Sequence, residues 1–394
     1  MNAMTYTDES VKLFGWNIQR LIRKENLSRR ECYAMFREVL LEAQPDLQQG
    51  AFLAALAAKG ETAAEIAGAW EAISDLDTVR VEEDFGAPLV ENSGTGMDQL
   101  KTFNVSTAAS IVAAAGGVRV ARHAARALTS SCGAVDLVEA LGVDVECDPA
   151  TVAKSIREAG IGVFNGMSAK VHPHSLARIL MQIRFGSTLN IAASLAGPCR
   201  PTHALRGVWS EAAVPKAVEV MKEIGVGRAM VVHGFDASRE KGMDELSTIG
   251  ETLVHEYLPD GQENVFSIAP EDMGVKRADY SAVAALGDVK EEAVRFLGVM
   301  GGVGSPECQD FACLNAGAIF YLAGRAGDIA SGVEMSREII GSGKALAKLS
   351  EWVATQTAPS GEGIGRLLAL AKEAGVAGQL RAAAGGAMLT ARNS

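Results

Sequence analysis

Hydrophobic and polar positions follow a helical period from the start of the chain. Across residues 7–77, Val11, Phe14, Ile18, Leu21 and Ile22 recur at three- and four-residue intervals with mostly polar or charged residues between them, the mark of helices that bury one stripe. Ser28 with Glu31 has capping-box spacing and predicts a helix start after Leu27. Thr62 with Glu65 repeats that signal just after Gly60, which breaks a third helix predicted over residues 48–59. The opening ~80 residues therefore predict a small helical bundle.

After Asp84 the pattern changes to short β-branched runs separated by glycine turns and helices, the alternation of an α/β sheet. Strands are predicted at 118–121, 161–164 and 229–233, and helices at 107–115, 134–141 and 214–224. Residues 175–193 are again helical and apolar and read as a return to the bundle. Residues 357–363 read as a linker, and 364–389 as an Ala/Leu-rich helical appendage. The expected organisation is a helical domain over 1–84 rejoined by 175–193, an α/β domain with a central mixed sheet over 85–174 and 194–356, and an appendage over 357–394.

A chain of 394 residues with 48% hydrophobic composition can bury a substantial core and is not a disordered tail. A net charge of -11 argues against a general polyanion binder, so a nucleic-acid partner is not expected. The basic cluster of Arg20, Arg23, Lys24, Arg29 and Arg30 reads as a solvated helix face. Six scattered cysteines without metal spacing suit reduced thiols. No leader is recognisable and apolar runs such as 111–118 fall short of the ~20 residues that span a bilayer, so a soluble, cytoplasmic protein is expected. With 42 glycines and only 5% aromatics, the composition suits an α/β enzyme.

Candidate chemistry concentrates in Asn92-Ser93-Gly94-Thr95-Gly96-Met97-Asp98, followed by Lys101-Thr102-Phe103-Asn104-Val105-Ser106-Thr107 and an apolar helix. A glycine turn opening onto a helix suits phosphate, because backbone N–H groups and the helix dipole both favour an anion there. A tight turn with Ser106 or Thr107 as an ordinary cap is the structural alternative. Arg122-His123-Ala124-Ala125-Arg126 adds two guanidinium groups suited to diphosphate. The adjacent carboxylates Asp244 and Glu245 suit Mg²⁺ whose other ligands are water and phosphate oxygens. His123 and His174 are candidates to line a pocket, whereas His203, His233 and His255 read as structural or surface residues, and Cys132 as a space-filling one.

Over most of its length, about residues 27–353, the chain resembles the anthranilate phosphoribosyltransferases, which share their fold with pyrimidine nucleoside phosphorylases. Gly94-Thr95-Gly96-Met97-Asp98 resembles the family's Gly-Thr-Gly-Gly-Asp loop, and Asn104-Val105-Ser106-Thr107 its Asn-x-Ser-Thr helix start. Gly197-Pro198, Val231-Val232-His233-Gly234, Asp244-Glu245 and Asn315-Ala316-Gly317-Ala318 are similar to later landmarks. The resemblance implies Mg²⁺-dependent transfer of a phosphoribosyl group from phosphoribosyl pyrophosphate to anthranilate, with release of pyrophosphate, as in tryptophan biosynthesis. It also implies an active site in the interdomain cleft and a homodimer formed through the helical domain. Gly94, Thr95, Gly96, Asp98, Asn104, Ser106, Thr107 and Arg122 would bind phosphoribosyl pyrophosphate. His123, His174, Arg184, Gly197 and Pro198 would serve the acceptor, with His172-Pro173 as the match if two residues are inserted. Ser106, Asp244 and Glu245 would hold the metal. No residue is implied as a general acid or base.

Departures accompany the matches. Met97 stands where the family has glycine, Gln99 differs from the usual residue, Arg122 replaces lysine, Ala124 and Ala125 replace Gly-Asn, and Ala134 replaces a serine. Three readings follow: transfer to anthranilate, transfer to a different aromatic acceptor, or a non-catalytic homologue that binds a ligand or nucleic acid. A nucleoside phosphorylase is a further option from the same fold, but its Lys/Ser-rich base-binding signature is missing.

Overall fold

The computed structural model describes residues 6–85, 88–126, 132–357 and 361–382. They form two compact units.

The first unit comprises residues 1–81, 166–199 and 219–225 and is helical. Its helices include Asp8–Ile22, Arg29–Leu40, Asp46–Lys59, Ala63–Leu76, Leu176–Ile183 and Thr188–Leu195. Both predicted capping boxes form: Ser28 and Glu31 exchange side-chain and backbone bonds, as do Thr62 and Glu65, each cap stabilising by about 1 kcal/mol. The apolar stripes meet around Phe52, which lies edge-on to Phe14 at 5.6 Å and to Phe36 at 5.1 Å. Leu176, Ile179 and Leu189 join the same core. Residues 175–193, expected as one helical stretch, are two helices, because Arg184 takes a left-handed φ of 49° and Ser187 starts a new capped helix with Asn190.

The second unit comprises residues 82–165, 200–218 and 226–394. Its sheet contains β1 (Leu89–Ser93), β2 (Arg119–Ala124), β3 (Ile161–Asn165), β4 (His203–Gly207), β5 (Arg228–Phe235), β6 (Gly242–Met243), β7 (Thr252–Tyr257) and β8 (Glu263–Ile268). The order is β3-β2-β1-β4-β5-β7-β8, with β6 paired to β5. In that order the first five strands are parallel to one another, β7 runs antiparallel to β5 and β8 antiparallel to β7, so the sheet is mixed. Parallel strands need crossover connections, and the helices Val105–Ala115 and Pro149–Ala159 supply two of them. The helix Pro306–Leu322 buries Phe311, Leu314 and Phe320 in the same core. The helix Glu362–Glu373 belongs to it too, since Leu367 and Ala371 are fully buried there with Val376 and Leu380. Residues 383–389 of the stretch expected to be helical lie outside the described residues.

Candidate active site

The C-terminal ends of β1, β2, β4 and β5 gather most of the candidates in the second unit, where an open parallel sheet usually binds its ligand. β1 ends at Ser93 and runs directly into the Gly94-Thr95-Gly96 turn. Asp244 lies just after β6, and its carboxylate locks that turn: Oδ2 accepts from the Gly96 N–H at 2.7 Å and from the Thr95 hydroxyl at 3.0 Å. Gly96 has a φ of +70°, the left-handed region that favours glycine.

Asp98 follows the turn, and an oxygen from each of Asp98, Asp244 and Glu245 lies within 4.8 Å of the others. The sequence pattern assigned Asp98 to the phosphoribosyl pyrophosphate turn, and the structure puts it beside the two carboxylates expected to hold metal. Burial and the neighbouring Asp244 charge push the Asp98 carboxyl up to about 6. Burial, with Asp244 and Asp98 as like charges, raises Glu245 well above the carboxylate range. Glu245 Oε2 is closed off from solvent and has no hydrogen-bond partner. Like charges crowded around an unpartnered buried oxygen are costly without a cation, so this donor set fits a hard divalent ion. Ser106 contributes no carboxylate, and its backbone carbonyl is taken by Asn92 Nδ2 and Ser110 Oγ.

The helix Val105–Ala115 begins at the N-cap residue Asn104, whose side chain makes no capping bond. Thr107 does not cap it either: the Thr107 hydroxyl accepts a hydrogen bond from buried Arg122, whose Nε donates to the Asn92 carbonyl at 3.2 Å. Arg122 thereby ties β2 to β1 and to the first turn of the helix. Burial lowers the Arg122 guanidinium to about 10, with the Glu91 and Glu245 charges opposing the shift. It keeps its positive charge near neutral pH. His123, next on β2, is half-buried.

Several supporting residues received no role from the sequence reading. Lys101 Nζ pairs with Asp98 Oδ1 at 2.7 Å and donates to the Gly96 carbonyl at 3.0 Å. The buried Asn315 amide accepts from the Leu246 N–H and donates to the Leu246 carbonyl, both at 3.0 Å, which fixes the backbone just beyond Glu245. Buried Glu91 on β1 and Arg206 on β4 place opposite charges behind the turn, and Arg206 donates to Ser93 Oγ at 2.6 Å. Lys101 was visible as a residue three positions after Asp98, but nothing in the spacing told a salt bridge from a solvated amine.

Comparison with known proteins then decides the relationship. Residues 17–76 match the helical bundle domain of the glycosyl transferase family and residues 86–346 match its a/b domain. Anthranilate phosphoribosyltransferase of Methanothermobacter thermautotrophicus is 36% identical over 345 residues, covering 85% of this chain and 96% of that relative. The chain belongs to the anthranilate phosphoribosyltransferase family. The crystal structure of anthranilate phosphoribosyltransferase from Thermus thermophilus superposes with a TM-score of 0.76 at 33% identity, over 86% of this chain and 98% of that one. The Saccharomyces cerevisiae anthranilate phosphoribosyltransferase, solved in complex with PRPP and Mg, shares the fold at 22% identity with a TM-score of 0.76, over 89% of this chain and 98% of that one.

Within this anthranilate phosphoribosyltransferase family member, the remaining acceptor candidates belong to the helical unit. Arg184 is exposed in the turn between two helices, with Nε held by the Met181 carbonyl at 3.2 Å. His174 is exposed and its backbone N–H is fixed by Asp77 at 2.7 Å. His172 is buried, with Nδ1 2.7 Å from the Asp77 carbonyl. Buried Pro198 follows Gly197, and its carbonyl accepts from Val81 N at 3.0 Å. Among the departures, Met97 is 44% exposed, and Gln99 sits in a turn whose backbone N–H donates to the Gly242 carbonyl. Ala124 ends β2, and Ala134 opens the helix Ala134–Ala140.

Proposed function

We propose that this protein transfers the phosphoribosyl group of phosphoribosyl pyrophosphate to anthranilate and releases pyrophosphate, with Mg²⁺ as its cofactor. The observation that carries this reading is the carboxylate trio of Asp98, Asp244 and Glu245 directly beside the Gly94-Thr95-Gly96 turn. It lies in a chain 36% identical to a named anthranilate phosphoribosyltransferase along nearly all of that relative.

The displacement builds positive charge at the anomeric carbon and negative charge on the departing diphosphate, so positioning and charge stabilisation supply most of the rate. Asp244 and Glu245, with Asp98, would hold the Mg²⁺, which neutralises diphosphate charge when bound. The Gly94–Gly96 turn and the uncapped helix start at Asn104 and Ser106 offer backbone and hydroxyl groups to phosphate. Arg122 and Thr107, already bonded to each other, supply a fixed positive field behind that helix start. In the helical unit, Arg184 offers a guanidinium to the carboxylate of the acceptor, with His174, Gly197 and Pro198 nearby in sequence.

A homodimer formed through the helical unit is part of the same proposal. Leu13, Trp16, Ile22 and Leu47 are all more than half exposed there and support it. Among the described residues, no helix is long and apolar enough to cross a membrane.

The test is pyrophosphate release from phosphoribosyl pyrophosphate and Mg²⁺ with and without anthranilate, using the Asp244→Ala/Glu245→Ala protein as control. Turnover that requires anthranilate and disappears in the control is the expected result. Binding of phosphoribosyl pyrophosphate without anthranilate turnover redirects the search to other aromatic amines, and loss of both sinks the enzyme reading.

A further inference from the structure

Gly96 is held from both sides. Its N–H points to Asp244 and its carbonyl accepts from Lys101, whose ammonium also pairs with Asp98 at 2.7 Å. Asp98 is thus shared between two environments, because its carboxyl group also belongs to the trio with Asp244 and Glu245. The Asp98 side chain is only 7% exposed, whereas Lys101 is 33% exposed. A lysine on a flexible four-carbon stem with access to solvent can swing away at small cost, and a buried aspartate cannot. Arg122 also faces Glu245 electrostatically, but it is buried and bonded to Thr107 and the Asn92 carbonyl. Of these two cations, Lys101 is the one free to move.

We propose that Lys101 is a displaceable counter-ion of this site. Its ammonium holds Asp98 and the Gly96 carbonyl while no metal is present, yields the carboxylate when a divalent cation binds, and then turns to the diphosphate of the substrate. This rests on the reading of Asp98, Asp244 and Glu245 as the metal site. Glu245 Oε2, buried without a partner, is the independent sign that the trio awaits a cation. Lys101 is therefore a positioning residue with opposite effects on the two ligands. It competes with metal for Asp98 and assists the anion.

The experiment titrates Mn²⁺ alone, followed by the loss of the free-ion electron paramagnetic resonance signal, into the wild type, Lys101→Met, Lys101→Gln, Lys101→Arg and Asp244→Ala/Glu245→Ala proteins, each checked by thermal melting. Relief of a part-exposed ion pair predicts that Lys101→Met and Lys101→Gln bind Mn²⁺ roughly 2- to 5-fold more tightly than wild type. The same variants should show a KM for phosphoribosyl pyrophosphate roughly 10-fold higher, from loss of one charge-assisted contact, and Lys101→Arg should restore most of it. A merely structural lysine would weaken both affinities together, and that result, or unchanged Mn²⁺ affinity, overturns the proposal. If neither wild type nor the Lys101 variants bind Mn²⁺ at millimolar concentration, there is no competition to relieve and the proposal falls. The transferase reading is judged separately, by anthranilate-dependent pyrophosphate release with Mg²⁺.

Discussion

Gly94 and Asp244 approach so closely that a Cβ at Gly94 would stand 2.4 Å from the Asp244 carboxyl carbon. Asp244 cannot retreat without breaking its bonds to Gly96 N–H and Thr95. Gly94→Ala is therefore expected to displace the carboxylate, costing about 1–3 kcal/mol of stability from overpacking. A shift of about 1 Å in a positioned group costs on the order of 100-fold in rate. Steady-state kinetics and thermal melting of the variant check both effects, and near-normal kcat/KM would mean that Asp244 is not held where the reaction needs it.

Glu245 tests the trade between stability and function. Its half-buried side chain is crowded by Asp244 and Asp98, and its Oε2 is closed off from solvent without a partner. Glu245→Gln replaces a carboxyl that the folded site ionises only at a cost with a neutral amide of nearly the same shape, so the metal-free variant should melt a few degrees higher than wild type at neutral pH, equivalent to about 1 kcal/mol. The same change removes a metal ligand and should lower kcat/KM by at least about 100-fold. Calorimetry without metal, paired with the pyrophosphate assay, reads the two directions.

How much of this was legible in the sequence depended on whether a residue's role was local. Ser28 with Glu31 and Thr62 with Glu65 are three-residue signals, and both helices begin where those pairs place them. β2, β3 and β5 were visible because Val120, Val163 and Val231 sit in short β-branched runs. β1 was not, since Glu91, Asn92 and Ser93 are polar residues in a buried strand end that leads into the site, and β4 carries Arg206 for a similar reason. The Gly94–Asp98 turn and the Asp244-Glu245 pair each stood out as a motif. Their meeting, 149 positions apart between Thr95 and Asp244, comes from the β1-β4-β5 strand order and could not be read from spacing.

The Asp98 carboxyl, pushed up to about 6 by burial and by Asp244, makes metal binding pH-dependent. Below about pH 6 a proton competes with the cation for Asp98, so this group alone should lower affinity by up to ~10-fold per pH unit there, and the raised Glu245 carboxyl adds to the same trend. Stability of the metal-free protein has the opposite sign. The folded state keeps the Asp98 proton up to about pH 6, whereas an unfolded aspartate loses it near pH ~4, so this group's contribution declines as pH rises through that interval. The rise in melting temperature on adding Mg²⁺ should accordingly be larger at about pH 7.5 than at about pH 5. A rise independent of pH would exclude Asp98 from the metal site.

Asn315 predicts a remote effect on the same ion. Its buried amide satisfies both backbone groups of Leu246, next to Glu245 in the chain. Asn315→Ala leaves a buried N–H and a buried carbonyl unpaired, at about 1–3 kcal/mol for each group. Even where the fold survives, the loop carrying Asp244 and Glu245 should loosen, so Mn²⁺ affinity should drop while the circular dichroism spectrum is retained. Asn315→Asp keeps the acceptor for Leu246 N–H but turns an oxygen toward the Leu246 and Phe311 carbonyls, so it should not rescue the loss.

Arg184 carries the acceptor half of the proposal. It lies in the exposed Arg184-Phe185-Gly186 turn, held in a left-handed conformation with Nε engaged by the Met181 carbonyl, which fixes the start of the guanidinium and leaves its far edge for a carboxylate. A charge-assisted pair of this kind is worth about 1.5–3 kcal/mol, so Arg184→Ala should raise KM for anthranilate roughly 10- to 100-fold while KM for phosphoribosyl pyrophosphate stays within about twofold. Lys cannot reproduce the planar fork, so Arg184→Lys should recover only part of the loss. Arg184→Gly provides the control for backbone strain, since glycine accepts a φ of 49° freely. If Arg184→Gly binds anthranilate as well as wild type, the guanidinium is not the acceptor's contact and the residue serves only to shape the turn.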